Sequence, residues 1–367
     1  MLWFSGLISI ILLIVLYFRF NPQFGGRMNA ALERSYQKSS SHWDGKVFVN
    51  QVPVDMEVGF KDLPGMLKKR FVSKVAREPE FPIPVKPFDS EAFNSNPGQP
   101  KFIWYGHAVS LLQLNGKNLL IDPMFGPSAS PIAPFGVKRF SKKTLDIIDQ
   151  LPPIDAVLIS HDHYDHLDYA SIKKIKSKVD TWFVAMGVSR HLERWGVSAN
   201  QITEFDWWKA IDFDTIKITF TPSRHFSGRG LTDRFKSLWG GWVFQTKDHS
   251  IYWSGDGGYG DHFKTMNAKF GPFDWAFMEC GQYNEMWHHL HLFPEESAQA
   301  AIDSGAKVAI PVHWGGFALA MHSWKEPVEK FVAKAEQEQL PVCTPEIGAV
   351  ITLGTEPTTE RWYAELK

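Results

Sequence analysis

The stretch Ser160-His161-Asp162-His163-Tyr164-Asp165-His166 restricts this chain more than any other, because it follows directly on the apolar run Ala156–Ile159. Three imidazoles with a carboxylate to spare, set within six residues, make a poor core and a good metal site. Histidine nitrogen and aspartate oxygen are the donors that suit Zn²⁺ and its divalent neighbours. A solvated polar loop is the competing reading, and it leaves the density of imidazoles unexplained.

A chain of 367 residues can bury a large core, in one domain or two. Charged residues are 22% and the formal net charge is −1, which argues against a nucleic-acid partner held by bulk electrostatics. Cys280 and Cys343 are the only cysteines, so a disulfide framework is excluded and the redox compartment stays open. The 15 tryptophans are expected mainly in the core, some of them free to rim an apolar ligand.

Leu2–Phe18 carries no charge. As 17–19 helical residues it would span about 26–28 Å, close to the roughly 30 Å hydrocarbon thickness. A cleaved signal peptide is the rival, but nothing basic precedes the run and Arg19-Phe20-Asn21-Pro22 follows it. Residues 1–20 are therefore expected to form a transmembrane anchor. Arg19, Arg27, Arg34 and Lys38 on its C-terminal side lead to the expectation that the body of the chain faces the cytoplasm.

Residues 21–100 read as an extension. Gly65–Arg77 is expected as a basic amphipathic helix, lying on anionic headgroups or packing on its own domain. Pro79, Pro82, Pro84, Pro87, Pro97 and Pro100 then mark an extended connector. Beyond it, short strand-like runs alternate with helices such as Tyr169–Lys178, Pro294–Asp303 and Lys325–Gln339. Mixed sheets covered by helices follow, an α/β sandwich.

More ligand-type residues stand where strands should stop: His225 after Ile216–Thr221, Asp256 after Ile251–Ser254, and His313 after Lys307–Val312. Strand ends in α/β folds face a common crevice. Each residue alone would be a cap or turn residue; their shared placement beside the His-rich loop favours one site.

Residues 101–355 resemble the metallo-β-lactamase superfamily, with 356–367 as a tail. Ser160–Asp168, Ser254-Gly255-Asp256-Gly257-Gly258-Tyr259 and His313-Trp314-Gly315-Gly316-Phe317-Ala318-Leu319 resemble its branch of N-acyl-phosphatidylethanolamine-hydrolysing phospholipase D. Phe270-Gly271-Pro272-Phe273-Asp274 and His291-Leu292-Phe293-Pro294-Glu295-Glu296 extend the match. The resemblance implies a four-layer αββα sandwich and two Zn²⁺ ions. His161, His163 and His225 would hold one ion; Asp165, His166 and His313 would hold the other; Asp256 would bridge them. His107 and Asp122 are expected to orient ligands rather than bind metal. A homodimer is also implied.

By the same resemblance Asp165, Asp256 and His291 would be the catalytic residues, His291 binding a phosphoryl oxygen or assisting the leaving group; His288 and His289, outside that resemblance, are expected as exposed loop residues. Arg229 and Arg234 could read a phosphodiester headgroup or form a solvated basic loop, and Tyr283 is a candidate substrate contact. Phe226, Trp239, Trp287, Trp314 and Phe317 would line an acyl channel or simply pack. The implied activity is hydrolysis of a phospholipid such as N-acyl-phosphatidylethanolamine to phosphatidic acid and an N-acylethanolamine. A lactone or amide hydrolase uses the same apparatus, and a catalytically silent membrane scaffold is the reading of another class.

Overall fold

The computed structural model describes residues 2–54, 65, 75–131 and 136–367. Thirteen strands among them form two sheets. The first contains β1 (Lys101–Trp104), β2 (Ser110–Leu114), β3 (Lys117–Ile121), β4 (Ala156–Ile159), β5 (Trp182–Ala185), β6 (Ile202–Phe205) and β13 (Val350–Thr352), in the order β13-β1-β2-β3-β4-β5-β6. Asn115 and Gly116, both at positive φ, turn β2 back on β3 as the Asn-Gly pair predicts. From β3 to β6 the pairing is parallel. Every residue of β4 and β5 is buried, which accounts for their unbroken apolar runs.

The second sheet contains β7 (Ala210–Phe213), β8 (Ile216–Thr221), β9 (Gly241–Gln245), β10 (Ser250–Trp253), β11 (Phe273–Glu279) and β12 (Ala306–Val312). They run in the order β12-β11-β10-β9-β8-β7. The two sheets meet through aromatic side chains: Phe102 of β1 lies 4.2 Å from Phe277 of β11, and Phe205 of β6 lies 5.2 Å from Trp242 of β9. Burying each such ring contributes roughly 1.5–3 kcal/mol. Helix Pro294–Asp303 packs on β11 and β12, and helix Ser189–Arg194 on β6. The result is the expected metallo-β-lactamase sandwich of helix, sheet, sheet and helix. Asp168 caps helix Tyr169–Ile175, accepting from Ser171 N–H.

The extension is woven into this body. Asn29 caps helix Ala30–Ser39, and Tyr36, Trp43, Phe48, Ile83 and Phe93 are buried in the same core as the sheets. The tail also returns, with Tyr363 buried 5.4 Å from Trp314. The basic helix expected over Gly65–Arg77 lies outside the described residues except at Gly65 and 75–77. Leu2–Phe20 is a single helix whose Tyr17 hydroxyl donates to Pro131 O. Among the described residues, however, no helix is long and apolar enough to cross a membrane, so the fold gives the expected transmembrane helix no support. Both cysteines are buried and unpaired.

Candidate metal centre

Strands β4, β8, β10 and β12 deliver their following residues to one point. Gly255 makes the delivery of Asp256 possible: it has φ +63°, and a Cβ there would lie 2.2 Å from Gly240 O. His107, Asp122 and His313 also adopt positive φ, an unfavourable backbone for bulky residues that clusters where a site dictates it.

The structure brings all seven expected ligands together, in two groups. In the first, His163 Nδ1 lies 2.9 Å from His161 Nε2 and 3.2 Å from His225 Nε2. His225 Nδ1 donates to Leu290 O, which leaves Nε2 with its lone pair. Ser160 Oγ donates to Asp122, so it accepts from His161 Nδ1 and leaves that Nε2 a lone pair as well. His163 Nδ1 thus faces two lone pairs, and one proton cannot serve both. The nitrogen spacing approaches the roughly 3.3 Å edge of a tetrahedron built on metal–nitrogen bonds of about 2.0–2.1 Å. A divalent cation fits this donor set.

In the second group His313 Nε2 lies 3.2 Å from His166 Nε2 and 3.3 Å from Asp165 Oδ2. Asp256 Oδ2 stands between the groups, 3.0 Å from His166 and His313 and 3.9 Å from His161 and His225. Asp122 accepts from Ser160 N–H, Ser160 Oγ and His166 Nδ1, aiming the last ring. His107 Nε2 donates to Asp165 at 2.7 Å. Asp122 and His107 are fully buried, where such bonds fix a ligand's orientation.

The two groups differ in proton affinity. Burial pushes His163 down to about 4, and burial with neighbouring imidazoles holds His161 and His225 well below the usual histidine value. Burial would also lower His166 and His313, but carboxylates outweigh it. Asp256, Asp165 and Asp122 hold His166 well above its ordinary value, and Asp256 and Asp165 lift His313 to about 10.

A cavity of about 390 Å³ opens over the cluster, with His163, Asp165, Asp256 and His291 at its floor and Phe226, Trp287, Leu290 and Leu319 in its walls. His291 Nδ1 is held by Glu279, a buried carboxylate at the end of β11 that also accepts from Gly257 N–H. Burial raises the Glu279 pKa. Sequence reasoning missed Glu279, although a charged residue closing the apolar run Trp275–Met278 carries the same signal as His313. His288 is exposed and bound to Glu296.

Of the other candidates, Arg229 and Tyr283 are engaged elsewhere. Arg229 is buried and donates to Asp162 O and Leu167 O, both at 2.7 Å, and to Gln23 O, with its guanidinium 4.0 Å above Tyr164. Tyr283 donates to Glu326 and stacks on His322. Arg234 is exposed beside Phe226, at 5.3 Å. Trp239 and Trp314 are buried in the core, leaving Phe226 and Trp287 to line the cavity.

Residues 117–314 match the beta-lactamase superfamily domain. An uncharacterised protein of Mycobacterium tuberculosis is 35% identical over 322 residues, covering 86% of each chain. The N-acyl-phosphatidylethanolamine-hydrolyzing phospholipase D 1 of Caenorhabditis elegans is 33% identical over 263 residues, 68% of this chain and 73% of that protein. Among solved structures, the metallo hydrolase Igni18 of Ignicoccus hospitalis superimposes with a TM-score of 0.54 at 20% identity, covering 69% of this chain and 98% of that one. Fold, ligand geometry and relatives agree: the chain belongs to the beta-lactamase superfamily, in the branch resembling N-acyl-phosphatidylethanolamine-hydrolysing phospholipase D, and is a metal-dependent hydrolase.

Proposed function

We propose that the chain is a zinc-dependent phosphodiesterase of phospholipase D type, cleaving N-acyl-phosphatidylethanolamine or a related phospholipid to phosphatidic acid and an N-acylethanolamine. The observation that carries this reading is the pairing of a double ligand cluster with an apolar-walled cavity directly above it. The cluster suits a phosphodiester and the walls suit its chains, and the nematode relative named for this reaction supports the choice.

When bound, two zinc ions lower the pKa of water towards neutrality and polarise phosphoryl oxygens. His161, His163 and His225 would hold one ion, and Asp165, His166 and His313 the other, with Asp256 shared. Asp165 and Asp256, at the cavity floor, orient the attacking water towards phosphorus. Glu279 fixes His291 through Nδ1 and leaves Nε2 as the ring nitrogen available to the cavity. From there His291 protonates the N-acylethanolamine oxygen as its bond to phosphorus breaks, or holds a phosphoryl oxygen.

Membrane attachment belongs to this proposal. Leu12, Leu13, Ile14, Val15, Leu16 and Phe20 are exposed on one helix, whose end is fastened to Pro131 close to the cavity residue Ala129. Exposed apolar surface of this kind marks a contact with protein or lipid. The basic residues after the helix favour a body on the cytoplasmic side.

Purified full-length protein incubated with N-acyl-phosphatidylethanolamine in mixed micelles should release phosphatidic acid, and chelation should stop it. Turnover of lactones or amides without any phosphodiester cleavage would overturn the assignment in favour of a carbonyl hydrolase.

A further inference from the structure

Asp162, between His161 and His163 in the His-rich loop, faces away from the ligand cluster and is completely buried. Its Oδ1 accepts from Gly228 N–H at 2.7 Å. Its Oδ2 accepts from Ser237 Oγ at 2.6 Å, His191 Nε2 at 3.2 Å and Arg190 Nη2 at 3.4 Å. Such a carboxylate is a rigid mount for His161 and His163 on either side of it.

His191 extends the mount to the N-terminal segment. Its Nδ1 accepts from Gly26 N–H at 3.0 Å, so Nε2 carries the proton given to Asp162. The approach demands glycine twice. A Cβ on Gly25 would fall 1.9 Å from His191 Nδ1, and one on Gly26 would fall 1.9 Å from Arg190 O. Arg229 makes a second link, tying Gln23 O to Asp162 O and Leu167 O, at the two ends of the ligand loop. Trp195 Nε1 adds a third, to Pro22 O at 2.8 Å. Burial keeps His191 neutral, with a pKa near 3.

We propose that His191 and Arg229 are positioning residues of the metal centre, and that residues 22–26, which leave the apolar helix, form part of its scaffold. His191 holds Asp162 from behind, and Arg229 clamps the backbone on which His161, His163, Asp165 and His166 stand. The segment leading from the helix is then a structural member of the ligand loop, not a passive tether. This inference rests on the metal-centre reading and is independent of which ester is cleaved.

The test uses full-length protein and the metal alone. Zinc affinity is read by competition with a chromophoric chelator, and Co²⁺ loading by its visible absorption spectrum. His191→Phe should weaken zinc binding about 10–100-fold, the range seen when a ligand's orienting partner is lost. It should also shift the Co²⁺ spectrum, with circular dichroism and gel filtration unchanged. His191→Gln, whose amide can still donate to Asp162, should recover most of the affinity. Should the Phe variant not fold, Arg229→Lys takes its place and should shift the Co²⁺ spectrum, because a point-like ammonium cannot reproduce the planar fork that reaches three separated carbonyls through Nε, Nη1 and Nη2. A spectrum and affinity within twofold of the parent in the folded variant, or a Gln variant no better than Phe, would overturn the proposal. Absence of lipid cleavage by the metal-loaded parent protein, with these metal effects intact in the variants, would instead count against the proposed substrate alone.

Discussion

The two halves of the metal centre are built from the same strand ends and solve different problems. The half formed by His161, His163 and His225 is all imidazole. The outer nitrogens of His161 and His225 bond to a hydroxyl and a backbone carbonyl, and burial keeps the three rings neutral. The half formed by Asp165, His166 and His313 is crowded with carboxylates that hold protons on its rings. The first half offers lone pairs ready for a cation; the second must release protons to receive one. Asp256 belongs to both, so it is where the halves become one machine.

The largest expected effect follows from that shared position. Asp256→Asn should lower kcat/KM by roughly a thousandfold or more, about 4 kcal/mol of transition-state stabilisation, with the fold retained. Turnover assays paired with circular dichroism check it, and an active folded variant would break the claim of sharing.

Acidity separates the halves next. His166 and His313, held above their ordinary values, are protonated at neutral pH in the metal-free protein. Metal uptake there expels up to two protons, so affinity rises with pH, by as much as about a hundredfold per unit. The first trio is already neutral and should change little between pH 6 and 8. Calorimetric zinc titrations at several pH values would show one steep and one flat site. Two equally flat sites would erase the distinction.

Asp122→Asn, which weakens the acceptor aiming His166 directly and that aiming His161 only through Ser160 Oγ, should cost about 10–100-fold in metal affinity in the second half and less in the first. Competition with graded chelators resolves the two. Smallest is Glu279→Gln, which leaves every ligand in place. We expect about a tenfold fall in kcat with KM nearly unchanged, read from steady-state kinetics on micellar substrate.

Much of this was legible in the chain because strand ends leave local marks. Short strand-like runs, apolar or alternating, followed within a few residues by His or Asp identified β4, β8, β10 and β12, and helix Pro294–Asp303 has the bounds its pattern predicts. The strands missed, β6 and β7, are short and only partly buried, so their residues alternate too weakly to signal a pleat. Asp162 and Arg229 show a second limit. Sequence puts Asp162 between two ligands and Arg229 near His225, yet the fold turns Asp162 away from the cluster into a buried pocket and gives Arg229 to backbone carbonyls 62 to 206 positions away in sequence. Long-range partners of this kind leave no periodicity. The extension was likewise read as separate, because Tyr36, Trp43 and Phe48 show their burial only against sheets that follow far along the chain.

The most direct test of the double centre is a zinc titration of metal-free, full-length protein followed by calorimetry. Two equivalents per chain should bind, one releasing protons to the buffer and the other not, with Asp256→Asn weakening both. Uptake of fewer than two ions, or an Asp256→Asn variant that binds both as tightly as the parent, would contradict the account.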